Sequence, residues 1–360
     1  MGPVQVTILN LKGVFMGADL VPLVENFIIE SKTFAANDCA VVEGCAEVGT
    51  RKLLRFDFLC WNPGDTAAHL GSPAANPQWF VWSPCHGHWH IKDFNDYRLL
   101  DCQGQVRVGR KQAFCLEDFR HIAGGPASAH FTCGDQGVSP GWADVYEAGL
   151  DCQWIDITGL PDGDYVLEAE TNRSGIVHED HYGNNFVWAG VRIAGSTATG
   201  IAPPCYPEDC LPINPNAVEA KQFGSRWKVV EGSHWILDFA ASQANAKKAR
   251  DIIQHYGMNR ICYVGRPDPT NQQLMMYLTV NGASPAGAFA GEDAIPFNLA
   301  KVTAEQSGGS WIVTDTASIM LNFGISEANA RRAVWIIKKY GFTHQCFVGR
   351  PHAPMMYFRK

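Results

Sequence analysis

The run Trp82-Ser-Pro-Cys85-His86-Gly-His88-Trp-His90 sets three histidines at alternate positions. Side chains in an extended strand repeat every two residues, so His86, His88 and His90 are expected on one face, with Gly87 and Trp89 on the other. Three imidazoles converging from one short strand would form a facial metal site. Imidazole ligands suit copper, zinc, iron or nickel and leave coordination positions for water or substrate. The competing reading is a histidine-rich surface strand, and placement inside an aromatic, cysteine-bearing mid-chain segment argues against it.

A chain of 360 residues is long for one compact core and suggests two or three domains. Its 46% hydrophobic content is that of a globular protein, so wholesale disorder is excluded. No apolar run approaches the length of a transmembrane helix, and no membrane partner is expected. The net charge of −7, with no basic block, argues against nucleic acid and favours cationic partners such as amines. The twelve cysteines include no CxxC pair, so a disulfide framework in an oxidising compartment is a better account than zinc ribbons. Met1-Gly-Pro-Val-Gln-Val lacks the basic and apolar regions of an export signal, and the expectation is of a secreted protein whose signal peptide precedes this numbering.

The elements that would carry the histidines are short strands broken by turns. Leu53–Leu59, Trp79–Trp82, Tyr97–Leu100 and Asn185–Ile193 read as strands. Gln153–Thr158, then the turn Pro161-Asp-Gly-Asp164, then Tyr165–Glu170 read as a β-hairpin. No long amphipathic helix interrupts them, so residues 1–195 are expected to form a β-sandwich with long loops. Residues 196–216, with Pro203, Pro204, Pro207, Pro212 and Pro215, read as a linker in which Cys205 and Cys210 pair locally.

An internal repeat follows. Trp227–Pro267 aligns without gaps onto Trp311–Pro351 at an offset of 84, with 18 of 41 positions identical. The pattern predicts an α+β tandem-repeat domain, ββαββ over 217–285 and again over 286–360. Ser242 and Ser326 are the expected N-caps, and Gly257 and Gly341 the expected helix stops. Ala249, Ile252, Ile253 and Tyr256 form a core-facing stripe at helical spacing. Cys262 and Cys346 occupy equivalent strands and are expected as buried thiols. The repeats carry no comparable chemistry and are expected to bind a surface or partner.

Further motifs lie in register with the histidine strand: Asp19-Leu-Val-Pro22, Cys39-Ala-Val-Val-Glu-Gly-Cys45, Gly109-Arg-Lys111-Gln-Ala-Phe-Cys115-Leu-Glu-Asp118 and Asp144-Val-Tyr146-Glu-Ala-Gly-Leu-Asp151-Cys152-Gln-Trp154. Together they resemble the lysyl oxidase family over roughly residues 19–195. The resemblance implies a mainly β catalytic domain in which His86, His88 and His90 bind copper. It implies that Lys111 and Tyr146 are the precursors of a lysine tyrosylquinone cofactor. The implied reaction is oxidation of primary amines, peptidyl lysine among them, by O2 to aldehydes, with release of hydrogen peroxide and ammonia. It further implies disulfides Cys39–Cys85, Cys45–Cys152 and Cys115–Cys133. Two family cysteines that bond each other fall at about His121 and at Trp142 and are absent, whereas Cys60 and Cys102 are additional and would pair with each other.

Two positions depart from the family. Where it places a histidine used as catalytic base, a one-residue shortening leaves Asp96, a base if burial raises its proton affinity. A family calcium site maps to Asp19, the Leu20 carbonyl, Glu179, Asn184 and Asn185, with its second acidic ligand at His181 beside Asp180. Asn172-Arg-Ser174 is a glycosylation sequon. Two rivals to the amine oxidase reading stand: a zinc hydrolase using the same three histidines, and a non-catalytic wall- or matrix-binding protein.

Overall fold

A computed structural model describes residues 17–102, 106–109, 115–179, 182–266 and 274–360. The chain divides after Pro207 into two compact units.

The first unit is mainly β. One sheet is formed by β1 (Val21–Phe34), β2 (Gly49–Trp61), β8 (Arg120–His121), β10 (Trp142–Tyr146) and β11 (Trp154–Asp156), with β2 at its centre. The other runs β14-β13-β12-β6-β7, from Thr197–Ile201, Phe186–Ala194, Gly163–Glu170, Asp96–Leu100 and Val106–Val108. The two sheets face each other. Phe56 and Phe58 of β2 and Tyr146 of β10 meet Tyr97 of β6, Leu167 of β12 and Val191 of β13 in one buried core. Alternation explains the arrangement, since each strand sends every second side chain inward. Small two-stranded ribbons complete the unit: β3 (Ala68–Gly71) with β9 (Gln136–Val138), and β4 (Phe80–Ser83) with β5 (His88–Ile91). The short helix α1 spans Cys39–Val42.

Several sequence expectations are corrected here. Trp154–Asp156 and Gly163–Glu170 are not a hairpin: β11 pairs with β2, whereas β12 pairs with β6 and β13. The Pro161-Asp-Gly turn carries the chain from one sheet to the other, a corner that alternation alone cannot distinguish from a hairpin. Cys60 and Cys102 do not bond, because Cys60 lies in β2 of the first sheet and Cys102 just beyond β6 of the second. Cys60 is a buried free thiol, and Cys102 is bonded to Cys205. Cys205 and Cys210 are therefore not partners; Cys210 is bonded to Cys262, its direct neighbour across a strand pair. The proline-rich stretch 196–216 is shared between the units, β14 closing the first and the next strand opening the second.

In the second unit each repeat has four strands before its helix, not two. The first comprises β15 (Asp209–Pro212), β16 (Val218–Phe223), β17 (Arg226–Glu231), β18 (His234–Asp238), α2 (Gln243–Tyr256), β19 (Arg260–Val264) and β20 (Met275–Thr279). The second comprises β21 (Asp293–Pro296), β22 (Thr303–Ser307), β23 (Ser310–Thr314), β24 (Ile319–Asn322), α3 (Glu327–Tyr340), β25 (His344–Val348) and β26 (Met355–Arg359). Ser242 and Ser326 accept hydrogen bonds from Asn245 N and Asn329 N, and left-handed Gly257 and Gly341 end the helices.

The repeats exchange core residues. Ile261, Tyr263 and Leu278 pack beneath α2, whereas Cys262, Val264, Met275 and Tyr277 from the same two strands pack into the core beneath α3. In return Cys346, Val348, Met355 and Tyr357 of the second repeat enter the α2 core. Strands buried on both faces explain the near-continuous apolar runs Ile-Cys-Tyr-Val and Met-Met-Tyr-Leu. The exchange is pinned by two equivalent carboxylates 84 residues apart. Glu208 accepts from Tyr277 (2.9 Å) and from Tyr340 at the end of α3 (2.7 Å), and pairs with Lys339. Glu292 accepts from Tyr357, from Tyr256 at the end of α2 (2.9 Å) and from Arg359 (2.7 Å).

Candidate metal and cofactor site

The three histidines converge, though not from a single strand. His88 and His90 lie on β5, whereas His86 and Gly87 occupy the turn that joins it to β4. Gly87 has φ +70°, a conformation that glycine adopts without strain, and this bend lets His86 approach from a second direction. His86 therefore presents Nδ1 while its neighbours present Nε2. His86 Nδ1 lies 3.2 Å from His90 Nε2, which lies 3.2 Å from His88 Nε2. Nitrogens about 2.0–2.1 Å from one shared ion would stand about 3 Å apart, so the donors fit a single metal. Burial, with the His88 and His86 rings beside it, pushes His90 down to about 4, and burial and His86 lower His88. Neutral imidazole is the form that ligates.

The segment before the site holds it. Cys85 is bonded to Cys39 at the start of α1, and Glu43 just past that helix stands 3.6 Å from His86 Nε2. The other Glu43 oxygen accepts from Ser83 Oγ, which itself accepts from His86 N at 3.1 Å. A carboxylate behind a ligating imidazole fixes its ring orientation and raises its basicity. The sequence reading left Glu43 without a role; its position in Cys39-…-Glu-Gly-Cys45, between two bonded cysteines, was the available signal.

Tyr146 is 1% exposed, in the core between the sheets. Its hydroxyl donates to the Cys115 carbonyl at 3.3 Å, and its ring faces Phe58 with centroids 6.1 Å apart. Asp144, two residues earlier on the same face of β10, hydrogen-bonds the Tyr146 hydroxyl. Burial, with Glu117 and Asp118 adding negative charge, holds the Asp144 carboxyl well above the usual carboxylate range, and its Oδ2 has no hydrogen-bond partner. Burial also raises Tyr146 well above an ordinary phenol. Asp144 is a residue that the alternation Asp-Val-Tyr could have revealed. Cys115 is bonded to Cys133, and Cys45 to Cys152. Lys111 lies outside the described residues.

Asp96 begins β6, opposite Glu170, and is ion-paired with Arg173. The expected calcium ligands come together. Asn184 Nδ2 lies 3.1 and 3.0 Å from the two Asp19 oxygens, Asn185 Nδ2 donates to Glu179 at 2.8 Å, and Leu20 N donates to Glu179. Asp19, Glu179, Asn184 and Asn185 are all buried, and burial pushes Glu179 up to about 8. Gly64 makes room for this cluster, since a Cβ there would stand 2.4 Å from the Gly17 carbonyl oxygen and 2.8 Å from Asp19 N. Asp180 and His181 lie outside the described residues. Asn172 is buried, and its amide donates to the Val177 carbonyl and to Glu179, so the sequon is not presented as a glycan acceptor. At the positions of the missing cysteines, His121 and Trp142 are strand partners whose rings lie 5.1 Å apart.

Comparison with known proteins agrees with this arrangement. The model of the family described as "Lysyl oxidase" matches residues 25–202. Protein-lysine 6-oxidase of Sus scrofa is 37% identical over 199 residues, covering 50% of this chain and 78% of that protein. The Bos taurus protein of the same name is 37% identical over 199 residues, which is 46% of its length. Lysyl oxidase homolog 2 of Homo sapiens is 33% identical over 181 residues, 46% of this chain and 23% of that protein. The repeats lie beyond the matched segment.

Proposed function

The chain belongs to the lysyl oxidase family, and on that footing we propose that it is a secreted, copper- and quinone-dependent oxidase of primary amines, peptidyl lysine included. The reaction converts R–CH2–NH2, O2 and water to R–CHO, ammonia and hydrogen peroxide. The observation that carries the reading is the convergence of three imidazole nitrogens, His90 Nε2 lying 3.2 Å from both His86 Nδ1 and His88 Nε2, in a chain that also buries Tyr146 beside Asp144.

Copper, when bound, would supply the redox-active ion that lets O2 modify the tyrosine ring, and the mature quinone would supply an electrophilic carbonyl. His86, His88 and His90 would hold the metal, with Glu43 behind His86 and the Cys39–Cys85 bond fixing that turn. Tyr146 and Lys111 would form the cofactor. The Cys115 carbonyl and Asp144 hold the Tyr146 hydroxyl in position, and the surrounding core keeps bulk water from the ring. Asp96 is assigned as the group that takes a proton from the substrate. Asp19, the Leu20 carbonyl, Glu179, Asn184 and Asn185 are assigned as a calcium site. Two buried carboxylates, Asp19 and Glu179, brought together with two amides favour a bound cation, and rotation of the Asn184 amide would turn its oxygen toward the ion. No described helix is long and apolar enough to cross a membrane. The repeats are assigned to attachment or assembly.

The test is amine-dependent peroxide release by copper-loaded protein, using butylamine and a lysine-containing peptide. Tyr146→Phe and Lys111→Ala are expected to abolish release while copper content stays at the parent level, because the histidines lie on a separate hairpin. Undiminished release in either variant, with phenylhydrazine forming no adduct on the parent, would overturn the quinone assignment.

A further inference from the structure

Asp144 and Tyr146 form a pair sealed inside the first unit. They are neighbours on one face of β10, 3% and 1% exposed, and are hydrogen-bonded to each other. A phenol has one hydrogen to give. Two groups stand ready to take it, the Cys115 carbonyl at 3.3 Å and the Asp144 carboxyl. The Cys115 carbonyl only accepts, so the phenol hydrogen goes to it and the hydrogen between Tyr146 and Asp144 belongs to Asp144.

The free end of the carboxyl agrees. Among the described residues Asp144 Oδ2 is buried without a hydrogen-bond partner. A bare oxygen is costly on a buried carboxylate and far less so on a neutral carboxyl. Asp118 shows what an ionised carboxyl requires in the same region. It accepts from Ser139 N and Ser139 Oγ, both at 2.7 Å, from His130 N at 2.8 Å and from Phe131 N at 3.3 Å. Asp144 has only Tyr146 and the Val145 backbone N–H, with Oδ2 bare. The groups that face it are themselves acids: Glu117 and Asp118 after Cys115, the Cys60 thiol opposite it on β2, and Tyr97 on β6. Negative charge on Asp118 resists a second charge beside it.

We propose that Asp144 is a neutral acid that donates a hydrogen bond to the oxygen of residue 146, before and after that ring is oxidised, and so positions the cofactor ring. The role toward the cofactor rests on the amine oxidase reading, whereas the protonated carboxyl does not. Oxidation removes the phenol hydrogen, and a quinone oxygen only accepts. With a carboxylate at position 144, that oxygen and the Cys115 carbonyl would have no hydrogen among them; a carboxylic acid supplies it. A hydrogen bond onto a carbonyl oxygen also draws electron density from the ring, which favours attack by an amine.

NMR of the full, metal-free chain with carboxyl-labelled aspartate reads the protonation state directly, and this label leaves Glu179 out of the spectrum. At about pH 7, where an ordinary aspartate is ionised, Asp144 is expected to show the shift of a protonated carboxyl. The signal is assigned by its loss in Asp144→Asn or, should that variant not fold, by its movement in Tyr146→Phe. An ionised Asp144 at that pH would overturn the proposal. The second readout is the phenylhydrazine adduct on copper-loaded protein of equal copper content. Asp144→Asn keeps a donor at this point and Asp144→Leu does not, so adduct yield should be about tenfold lower in the leucine variant than in the asparagine variant. Equal yields in the two folded variants would overturn the positioning role. A protonated Asp144 in a parent that forms no adduct would uphold the neutral acid and overturn the quinone reading instead.

Discussion

The two units solve the same problem by different means. The first has long loops and a polar, functional interior, and it is tied by covalent bonds between residues far apart in sequence, the Cys102–Cys205 and Cys45–Cys152 bonds spanning 103 and 107 positions. The second has short, regular elements and relies on reciprocal packing, each repeat supplying strands to the other's core. Their buried carboxylates differ in the same sense. Burial raises Glu179 in the first unit. In the second, burial alone would raise Glu208 and Glu292, but Tyr, Lys and Arg donors outweigh it and both are depressed. Glu179 is met by amide donors, whereas the clasps meet Glu208 and Glu292 with tyrosine hydroxyls and a cationic side chain.

The largest effect expected from this contrast is on autonomy. Residues 1–207 expressed alone should fold, whereas residues 208–285, a single repeat, should not, because the core beneath each helix includes four buried residues from the other copy. Circular dichroism melting and NMR dispersion check this, and a cooperatively folded single repeat would break the comparison. Next in size are the covalent ties. Replacing Cys102 and Cys205 by alanine should cost on the order of 4–5 kcal/mol, against about 3 kcal/mol for Cys115 and Cys133, whose separation is only 18 residues. Denaturant titration measures both. The second repeat offers the converse experiment. Ala294 faces free Cys346 as Cys210 faces Cys262, so Ala294→Cys should form a new disulfide, seen as loss of a titratable thiol and a raised melting temperature.

The pH responses should have opposite signs. A raised carboxyl contributes stability at low pH that disappears as pH climbs through its folded value. Chelator-treated first unit should therefore melt at lower temperature as pH rises from about 4.5 towards 8, and added calcium should reverse this at pH 8. Depressed carboxyls contribute stability above about pH 4.5 that is lost on acidification, so the second unit should weaken only below that range. Smallest is the ring pair that stands where the family has a disulfide: His121→Ala should cost about 0.5–1.5 kcal/mol.

Much of the site was legible because it is local. Alternate histidines and the Asp-Val-Tyr alternation bring their residues together whatever the rest of the chain does, although the turn at Gly87 had no signature in that alternation. The cluster of Asp19, Glu179, Asn184 and Asn185 was legible only through family resemblance, since Asp19 and Asn184 are 165 residues apart. The Cys39–Cys85, Cys45–Cys152 and Cys115–Cys133 bonds were likewise legible only through the resemblance, and Cys102–Cys205 and Cys210–Cys262 escaped because position along the chain does not specify partners. The Asp96–Arg173 ion pair escaped because the start of β6 and the residues just past β12 meet only once those strands pair. In the repeats, periodicity identified the buried faces of α2 and α3 but could not say which copy covers them.

That reciprocal covering limits how the array can grow. In a solenoid each added copy stacks on the last, so any copy number folds. Here the Glu208–Tyr340 and Glu292–Tyr256 clasps close upon each other, and a third repeat would find no open face on the pair and no partner for its own strands. Duplication of this module should therefore be tolerated in twos, giving chains with two or four copies, while an odd copy remains unfolded and exposed to proteolysis.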